Sequence, residues 1–159
     1  MELIKKIFFR EARLEDLPNI VHLLSDDSLG QFREDSSIME PYEEAMKDIL
    51  RDPNNTVWIA ELSHSTVGVF QLTFIPNLTF QGGLRAQIEG LRTKKNIRGH
   101  GVGSAIINHA IELSRKRGCR MLQLTSNSTR LEAIKFYEEL GFEATHVGFK
   151  MYLNSSEKH

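Results

Sequence analysis

The chain of 159 residues is the length of one domain, and its 40% hydrophobic and 26% charged residues are typical of a globular protein with one core. Lys and Arg number 20 against 21 Asp and Glu, and this formal net charge of -1 argues against general nucleic-acid binding, which depends on excess positive charge. The single cysteine, Cys119, excludes an internal disulfide and a cysteine-rich zinc site.

Apolar residues recur at every second position in the predicted strands and at every third or fourth in the predicted helices. Leu17, Ile20, Val21 and Leu24, for example, have the spacing of an amphipathic helix. In chain order, the first part of the pattern predicts a strand at 4–10, a helix near 16–24, a polar loop at 26–40 and a helix that begins at Pro41 and ends before Pro53. Three strands follow, at 56–62, 67–75 and 84–93. The last part predicts a helix at 101–116, a strand at 121–125, a helix at 131–140, a strand at 142–153 and a polar tail at 153–159.

The order of these elements predicts a single domain over residues 1–159, because no repeat or linker interrupts it. The short central connections imply antiparallel pairing, whereas helical crossovers near the end imply parallel pairing. The expected fold class is α/β, or mixed α+β. Its sheet is mixed, mostly antiparallel and of six to seven strands, with about four helices on both faces.

Residues 98–103, Arg-Gly-His-Gly-Val-Gly, lie between a predicted strand and a predicted helix. The unpaired N–H groups of a helix N-terminus bind phosphate, and glycines allow close approach of the backbone. A dinucleotide fingerprint requires glycine where Ser104 stands, and an NTPase loop requires a lysine before that serine. On the glycines alone, a plain turn at the start of a helix is the simpler interpretation.

Four segments, in the order in which they follow one another along the chain, resemble the GCN5-related N-acetyltransferases over nearly the whole chain. Arg98, Gly101 and Gly103 match the family pattern Arg/Gln-x-x-Gly-x-Gly/Ala, and 133–142 reads Ala-Ile-Lys-Phe-Tyr-Glu-Glu-Leu-Gly-Phe. The other two segments are 9–17 and 88–93. Residues 51–146 are also similar to aminoalkylphosphonate N-acetyltransferases.

The resemblance implies an N-acetyltransferase that moves the acetyl group of acetyl-CoA to a primary amine, on a small molecule, by direct attack in a ternary complex. The alternatives are a non-catalytic acyl-CoA-binding regulatory domain and a protein or peptide N-acetyltransferase. No metal, nucleic-acid or membrane partner is expected, and a homodimer is an option. A cytoplasmic location is expected, because no apolar stretch reaches the ~18–20 residues of a membrane span.

The apolar alternation of the fourth predicted strand slips by one residue. Leu84, Ala86 and Ile88 occupy even positions, but Leu91, after Gly90, occupies an odd one. A β-bulge and a loose strand end explain this slip equally well. The resemblance favours the bulge, which would open a gap beside the fifth strand for the pantetheine arm.

The resemblance also assigns the residues that bind acetyl-CoA. The backbone of Leu91, Arg92 and Thr93 would hold the pantetheine, and the Leu91 N–H would polarise the acetyl carbonyl. The pyrophosphate would lie on residues of the glycine-rich segment, namely Arg98, Gly99, His100, Gly101, Val102, Gly103 and Ser104. His100 is expected to face solvent.

Two side chains are candidates for proton transfer. A lysine-like amine has a pKa near ~10.4 and must lose a proton before attack, and Glu89 is the candidate base. Tyr137 matches the family's usual acid for the departing thiolate. Without the resemblance, Glu89 would be an exposed carboxylate and Tyr137 a packing residue.

Two further regions carry candidate binding residues. Where many family members have Asn, this chain has Arg130, and Asn127 lies three residues earlier. Either residue could contact the cofactor, form a turn or cap a helix. Residues 26–40 carry five acidic side chains against Arg33, so Arg33 and Glu34 are candidates to bind an amine that has an acidic group.

Overall fold

The computed structural model describes residues 6–27 and 30–154. The chain divides into two compact units, Met1–Leu124 and Thr125–His159. No helix in the described residues is long and apolar enough to cross a membrane.

The first unit contains a mixed five-stranded sheet in the order β1-β2-β3-β4-β5. Its first four strands pair antiparallel, and β4 pairs parallel with β5, as predicted. The prediction of six to seven strands is wrong for the described residues, where five are present. The strands are β1 (Ile7–Glu11), β2 (Asn55–Leu62), β3 (Ser65–Ile75), β4 (Arg85–Thr93) and β5 (Met121–Leu124).

The described residues form six helical segments instead of about four. The additional ones are single turns in segments predicted as loops. Asp27 accepts a hydrogen bond from the Gly30 backbone, and Asn77 accepts one from Thr79, so short local bonds form turns that apolar spacing does not predict. The segments are α1 (Leu17–Ser25), α2 (Gly30–Arg33), α3 (Glu40–Arg51), α4 (Thr79–Gly82), α5 (Val102–Lys116) and α6 (Leu131–Glu139).

Four consecutive residues of β3, from Val67 to Phe70, are buried. Since neighbouring residues of a strand point to opposite faces, both faces of the sheet are covered at this point. Val69 belongs to the cluster formed with α1 and α3, which includes Val21 and Met46. On the other face, a Cβ at Gly68 would lie 2.6 Å from the side chain of Ile106 in α5. This close packing holds α5 against the centre of the sheet.

The predicted bulge in β4 is confirmed. Val69 pairs with Arg92 and Gln71 pairs with Glu89, so Gly90 and Leu91 both lie opposite the one β3 residue between them. Gly90 has a φ of 59°, a left-handed conformation that glycine adopts without a Cβ penalty. The β4–β5 ladder ends at Ile88 and Leu124, just before the bulge.

The second unit contains α6 and a following segment without regular secondary structure, and the predicted strand at 142–153 is wrong. Val147, Phe149, Met151 and Leu153 alternate as strand residues do, but their exposed fractions are 79%, 93%, 84% and 88%. A strand needs a hydrogen-bonded neighbour. Among the described residues, this segment belongs to no sheet. Alternation alone therefore overestimates the number of strands.

Candidate active site

Glu89 is exposed on β4, immediately before the bulge. Its Oε1 accepts a hydrogen bond of 2.5 Å from Nε2 of Gln87. The Oε1 of Gln87 in turn accepts one of 2.7 Å from Nε2 of Gln123 on β5. Two amides therefore hold the candidate base in place. The sequence patterns did not single out Gln87 or Gln123, although alternation along a strand puts Gln87 on the same face as Glu89.

Leu91, Arg92 and Thr93 lie in or after the bulge and are half-buried. Nη1 of Arg92 donates a hydrogen bond of 2.8 Å to the Leu91 carbonyl. Nε of Arg92 lies 2.9 Å from Oδ2 of Asp27, and their side chains are 10% and 8% exposed. The guanidinium of Arg92 is thus engaged inside the protein, which leaves its backbone as the part that could contact a cofactor.

Part of the negative charge in the segment after α1 is neutralised by cations of the protein. Asp26 pairs with Lys95 at 2.7 Å, and the hydrogen bond from this lysine lowers the pKa of Asp26. Asp27 pairs with Arg92. Glu34 accepts a hydrogen bond of 2.9 Å from the Tyr42 hydroxyl and lies 4.0 Å from Arg33. Cations of the protein itself therefore offset much of the negative charge of residues 26–40.

The glycine-rich segment forms the entry to α5. Gly99 and Gly101 have φ angles of 80° and 83°, and Gly101 stands at the N-cap position without a side-chain cap. The first N–H groups of an α-helix have no partner within the helix. This geometry suits an anion whose oxygens approach the backbone from Gly101 to Ser104.

The flanking side chains of this segment are exposed. Nε of Arg98 donates to the Thr93 carbonyl at 3.3 Å, which joins the segment to the end of β4. His100 faces solvent, as predicted, with its Nδ1 at 3.1 Å from the Arg98 carbonyl. Within the part of the chain that the structure describes, no group of three or more His, Cys, Asp or Glu side chains could hold a metal ion.

Tyr137, Asn127 and Arg130 belong to the second unit. The ring of Tyr137 is half-buried and contacts Phe136 and Phe142 edge-on, at centroid distances of 5.2 and 5.9 Å. The side-chain oxygen of Asn127 accepts two hydrogen bonds from Thr129. Arg130 occupies the N-cap position of α6 without a side-chain cap. Asn127 therefore forms a turn, and Arg130 stands at the start of α6. Cofactor binding by either residue stays a prediction.

The structure combines a mixed sheet, a bulged β4 and a glycine-rich turn at the start of α5, as the sequence resemblance implied. The model of the acetyltransferase (GNAT) family matches residues 17–142. The chain belongs to this family, as the sequence resemblance predicted.

Solved structures of similar proteins cover nearly the whole chain. A transcriptional regulator from Bacillus halodurans C-125 is 44% identical, with a TM-score of 0.88 over 92% of this chain and 99% of that one. A putative acetyltransferase from Agrobacterium tumefaciens str. C58 is 26% identical, with a TM-score of 0.81 over 91% of this chain and 99% of that one. The fold is therefore shared over about nine-tenths of this chain and nearly the whole of both solved chains.

Similarity to curated proteins is more local. A glucosamine 6-phosphate N-acetyltransferase of Trypanosoma brucei brucei is 36% identical over 78 residues, which are 49% of this chain and 51% of that protein. The chain spans about half or less of the length of the curated relatives it matches.

Proposed function

We propose that the protein transfers the acetyl group of acetyl-CoA to the primary amine of a small molecule. The observation that carries this proposal is the open edge of β4. The β4–β5 ladder stops at Ile88, the bulge follows, and the glycine-rich segment begins a few residues later on the same stretch of chain. An extended amide-containing arm adds to such an edge as a strand does, while its phosphates meet the N-terminus of α5.

Three residues of this chain then carry out the steps of the proposed reaction. Glu89 takes a proton from the acceptor ammonium, directly or through one water. The free amine attacks the thioester carbonyl, forming the C–N bond, while the Leu91 N–H stabilises the developing oxyanion. The oxyanion collapses, the C–S bond breaks, and the thiolate receives a proton from Tyr137. The nitrogen loses its surplus proton through water to the Tyr137 phenolate, which leaves a neutral amide and a protonated tyrosine. The assignment of Tyr137 rests on the family pattern at 133–142.

The acceptor is proposed to carry an acidic group beside its amine. Arg33 is half-exposed and only loosely paired with Glu34, so its guanidinium can bind a phosphate, phosphonate or carboxylate. Glu34 would contact the amine. The relative named a glucosamine 6-phosphate N-acetyltransferase supports this acceptor type, because an amino sugar phosphate has both groups. A peptide or protein amine is the competing acceptor.

An acceptor screen tests this function. Thiol release from acetyl-CoA is measured with amino sugar phosphates, aminophosphonates, amino acids and peptides, and small amines with an acidic group are expected to be the best acceptors. The Arg33→Ala variant should raise KM for that acceptor several-fold and leave KM for acetyl-CoA within about twofold. Arg51→Ala, which removes an exposed arginine from α3, is the control. Preferential turnover of a peptide, or an unchanged acceptor KM in Arg33→Ala, would refute the proposed acceptor.

A regulatory role is the second candidate, because the 44% identical Bacillus halodurans protein is named a transcriptional regulator. A non-catalytic acyl-CoA-binding domain would bind acetyl-CoA without releasing thiol in the presence of any amine. A DNA-binding regulator would bind duplex DNA with an affinity that falls as salt rises. The formal net charge of -1 favours the enzyme over the DNA-binding regulator.

A further inference from the structure

Asp27 links the end of α1 to the bulged strand. Its Oδ1 accepts a hydrogen bond of 2.5 Å from the Gly30 backbone, and its Oδ2 lies 2.9 Å from Nε of Arg92. A Cβ at Gly30 would lie 1.9 Å from the Leu24 carbonyl, so α2 begins in close contact with α1. The Asp27 carboxylate is therefore held between the backbone of Gly30 and the side chain of Arg92.

Arg92 of this ion pair also contacts the bulge. Arg92 donates from Nη1 to the carbonyl of Leu91, the residue whose N–H is the proposed oxyanion donor. A bulge leaves one residue out of the regular ladder, so the orientation of its peptide groups depends on other contacts. The bond from Arg92 restrains the peptide group on the C-terminal side of Leu91.

We infer that Asp27 is a positioning residue that acts through Arg92 to hold the bulged backbone of Leu91 in the orientation needed for acetyl transfer. This inference rests on the proposed function. A buried ion pair is a poor source of stability, because the two charges must be removed from water, but it specifies one arrangement of the groups it joins. The geometry here joins it to the bulge.

A neighbouring pair provides the comparison. Asp26 and Lys95 lie 2.7 Å apart, but their side chains are 31% and 59% exposed, against 8% and 10% for Asp27 and Arg92. Water screens the exposed pair, and no bond from Lys95 to the bulge is present among the described contacts. Asp26→Asn therefore removes the carboxylate next to Asp27 in the sequence and leaves the Asp27–Arg92 ion pair unchanged.

The first test is kinetic, with Asp27→Asn, Arg92→Lys, the double variant and Asp26→Asn. We expect Asp27→Asn to lower kcat about 10- to 100-fold, since loss of an oxyanion donor costs about 10²–10³-fold and misplacement costs less. CoA affinity should fall much less than kcat, because the backbone of Thr93 and the N-terminus of α5 still hold the pantetheine and the phosphates. Arg92→Lys keeps the charge but cannot reach both Asp27 and Leu91, so it should show the same defect. The double variant should be no worse than either single variant, because residues that act as a unit are not additive.

The second test does not depend on activity. Hydrogen exchange of the Lys94 amide, which donates to the Val67 carbonyl at 2.9 Å directly after the bulge, should be faster in Asp27→Asn and unchanged in Asp26→Asn. A wild-type protein that turns over no amine would refute the proposed function, and exchange would still decide the inference. Normal kcat and normal Lys94 exchange in Asp27→Asn would overturn the positioning role. If that variant does not fold, Arg92→Lys is judged by the same two measurements.

Discussion

Nε2 of Gln87 donates a hydrogen bond of 2.5 Å to Oε1 of Glu89, two residues further along the same face of β4. Because Gln123 on β5 binds Gln87 in turn, the Glu89 carboxylate is anchored to the last part of the β4–β5 ladder before the strands cease to pair. The proposed role of Glu89 as a general base requires that this carboxylate lie within hydrogen-bond reach of the acceptor amine, directly or through one water.

Replacing Glu89 by Gln should lower turnover at neutral pH by about 10²–10⁴-fold, because the amide cannot accept the proton of the acceptor ammonium. The pH–rate profile should rise only at higher pH, where the amine, with a pKa near ~10.4, is already neutral. Steady-state kinetics from pH 6 to pH 10 measure both effects. Glu43→Gln, on the exposed surface of α3, is the control. A wild-type profile in Glu89→Gln would mean that another group accepts the proton.

Replacing Gly101 by Val should weaken CoA binding by at least about tenfold, as measured by calorimetry. Gly101 has a φ of 83°, and a β-branched residue in that conformation costs about 1–2 kcal/mol and places a side chain beside the N-terminus of α5. Gly118→Val is a matched control, since Gly118 has a φ of 76° at the other end of α5 and open space around it. It should lower stability similarly and leave CoA affinity unchanged. Equal losses of affinity in both variants would refute the phosphate-binding role.

The Tyr137→Phe variant removes one hydroxyl and keeps the ring contacts with Phe136 and Phe142. We expect turnover to fall by roughly 10–10⁴-fold if the phenol protonates the departing thiolate. The melting temperature shows whether the hydroxyl also contributes to stability. Thiol-release assays and thermal unfolding measure the two quantities, with Tyr152→Phe as the control. Full activity in Tyr137→Phe would mean that Tyr137 has only a structural role.

Asp16 should make stability depend on acidity. Arg10 donates two hydrogen bonds of 2.7 Å to the Asp16 carboxylate, and these bonds lower its pKa below the ordinary value of 3.8. A lowered pKa in the folded state adds stability above pH 3.8, which is lost as the pH falls through the folded pKa. Asp16→Asn should therefore cost about 2–3 kcal/mol at pH 7 in urea unfolding and progressively less below pH 4. A difference that stays constant from pH 7 to pH 2 would contradict this account.

The sequence by itself determined the features that depend on neighbouring residues. The slip of apolar alternation at Gly90 was explained equally well by a bulge and by a loose strand end, because one extra residue reverses the phase of a strand. The family resemblance favoured the bulge that the structure shows. The glycines at 99 and 101 predicted a turn before α5, and both have positive φ angles that few other residues adopt. The family pattern at Arg98, Gly101 and Gly103 led to the family that the chain belongs to.

The tertiary structure decided what joins distant parts of the chain. The strand predicted at 142–153 fails, because alternation specifies which face a residue would occupy but supplies no hydrogen-bonding neighbour. Asp27 with Arg92 and Gln87 with Gln123 are separated by 65 and 36 positions, and no local pattern links them. Their pairing follows from the antiparallel and parallel registers of β3, β4 and β5 and from the packing of α1 beside the bulge, because a side chain acquires its electrostatic partner only when the folded backbone brings the two together.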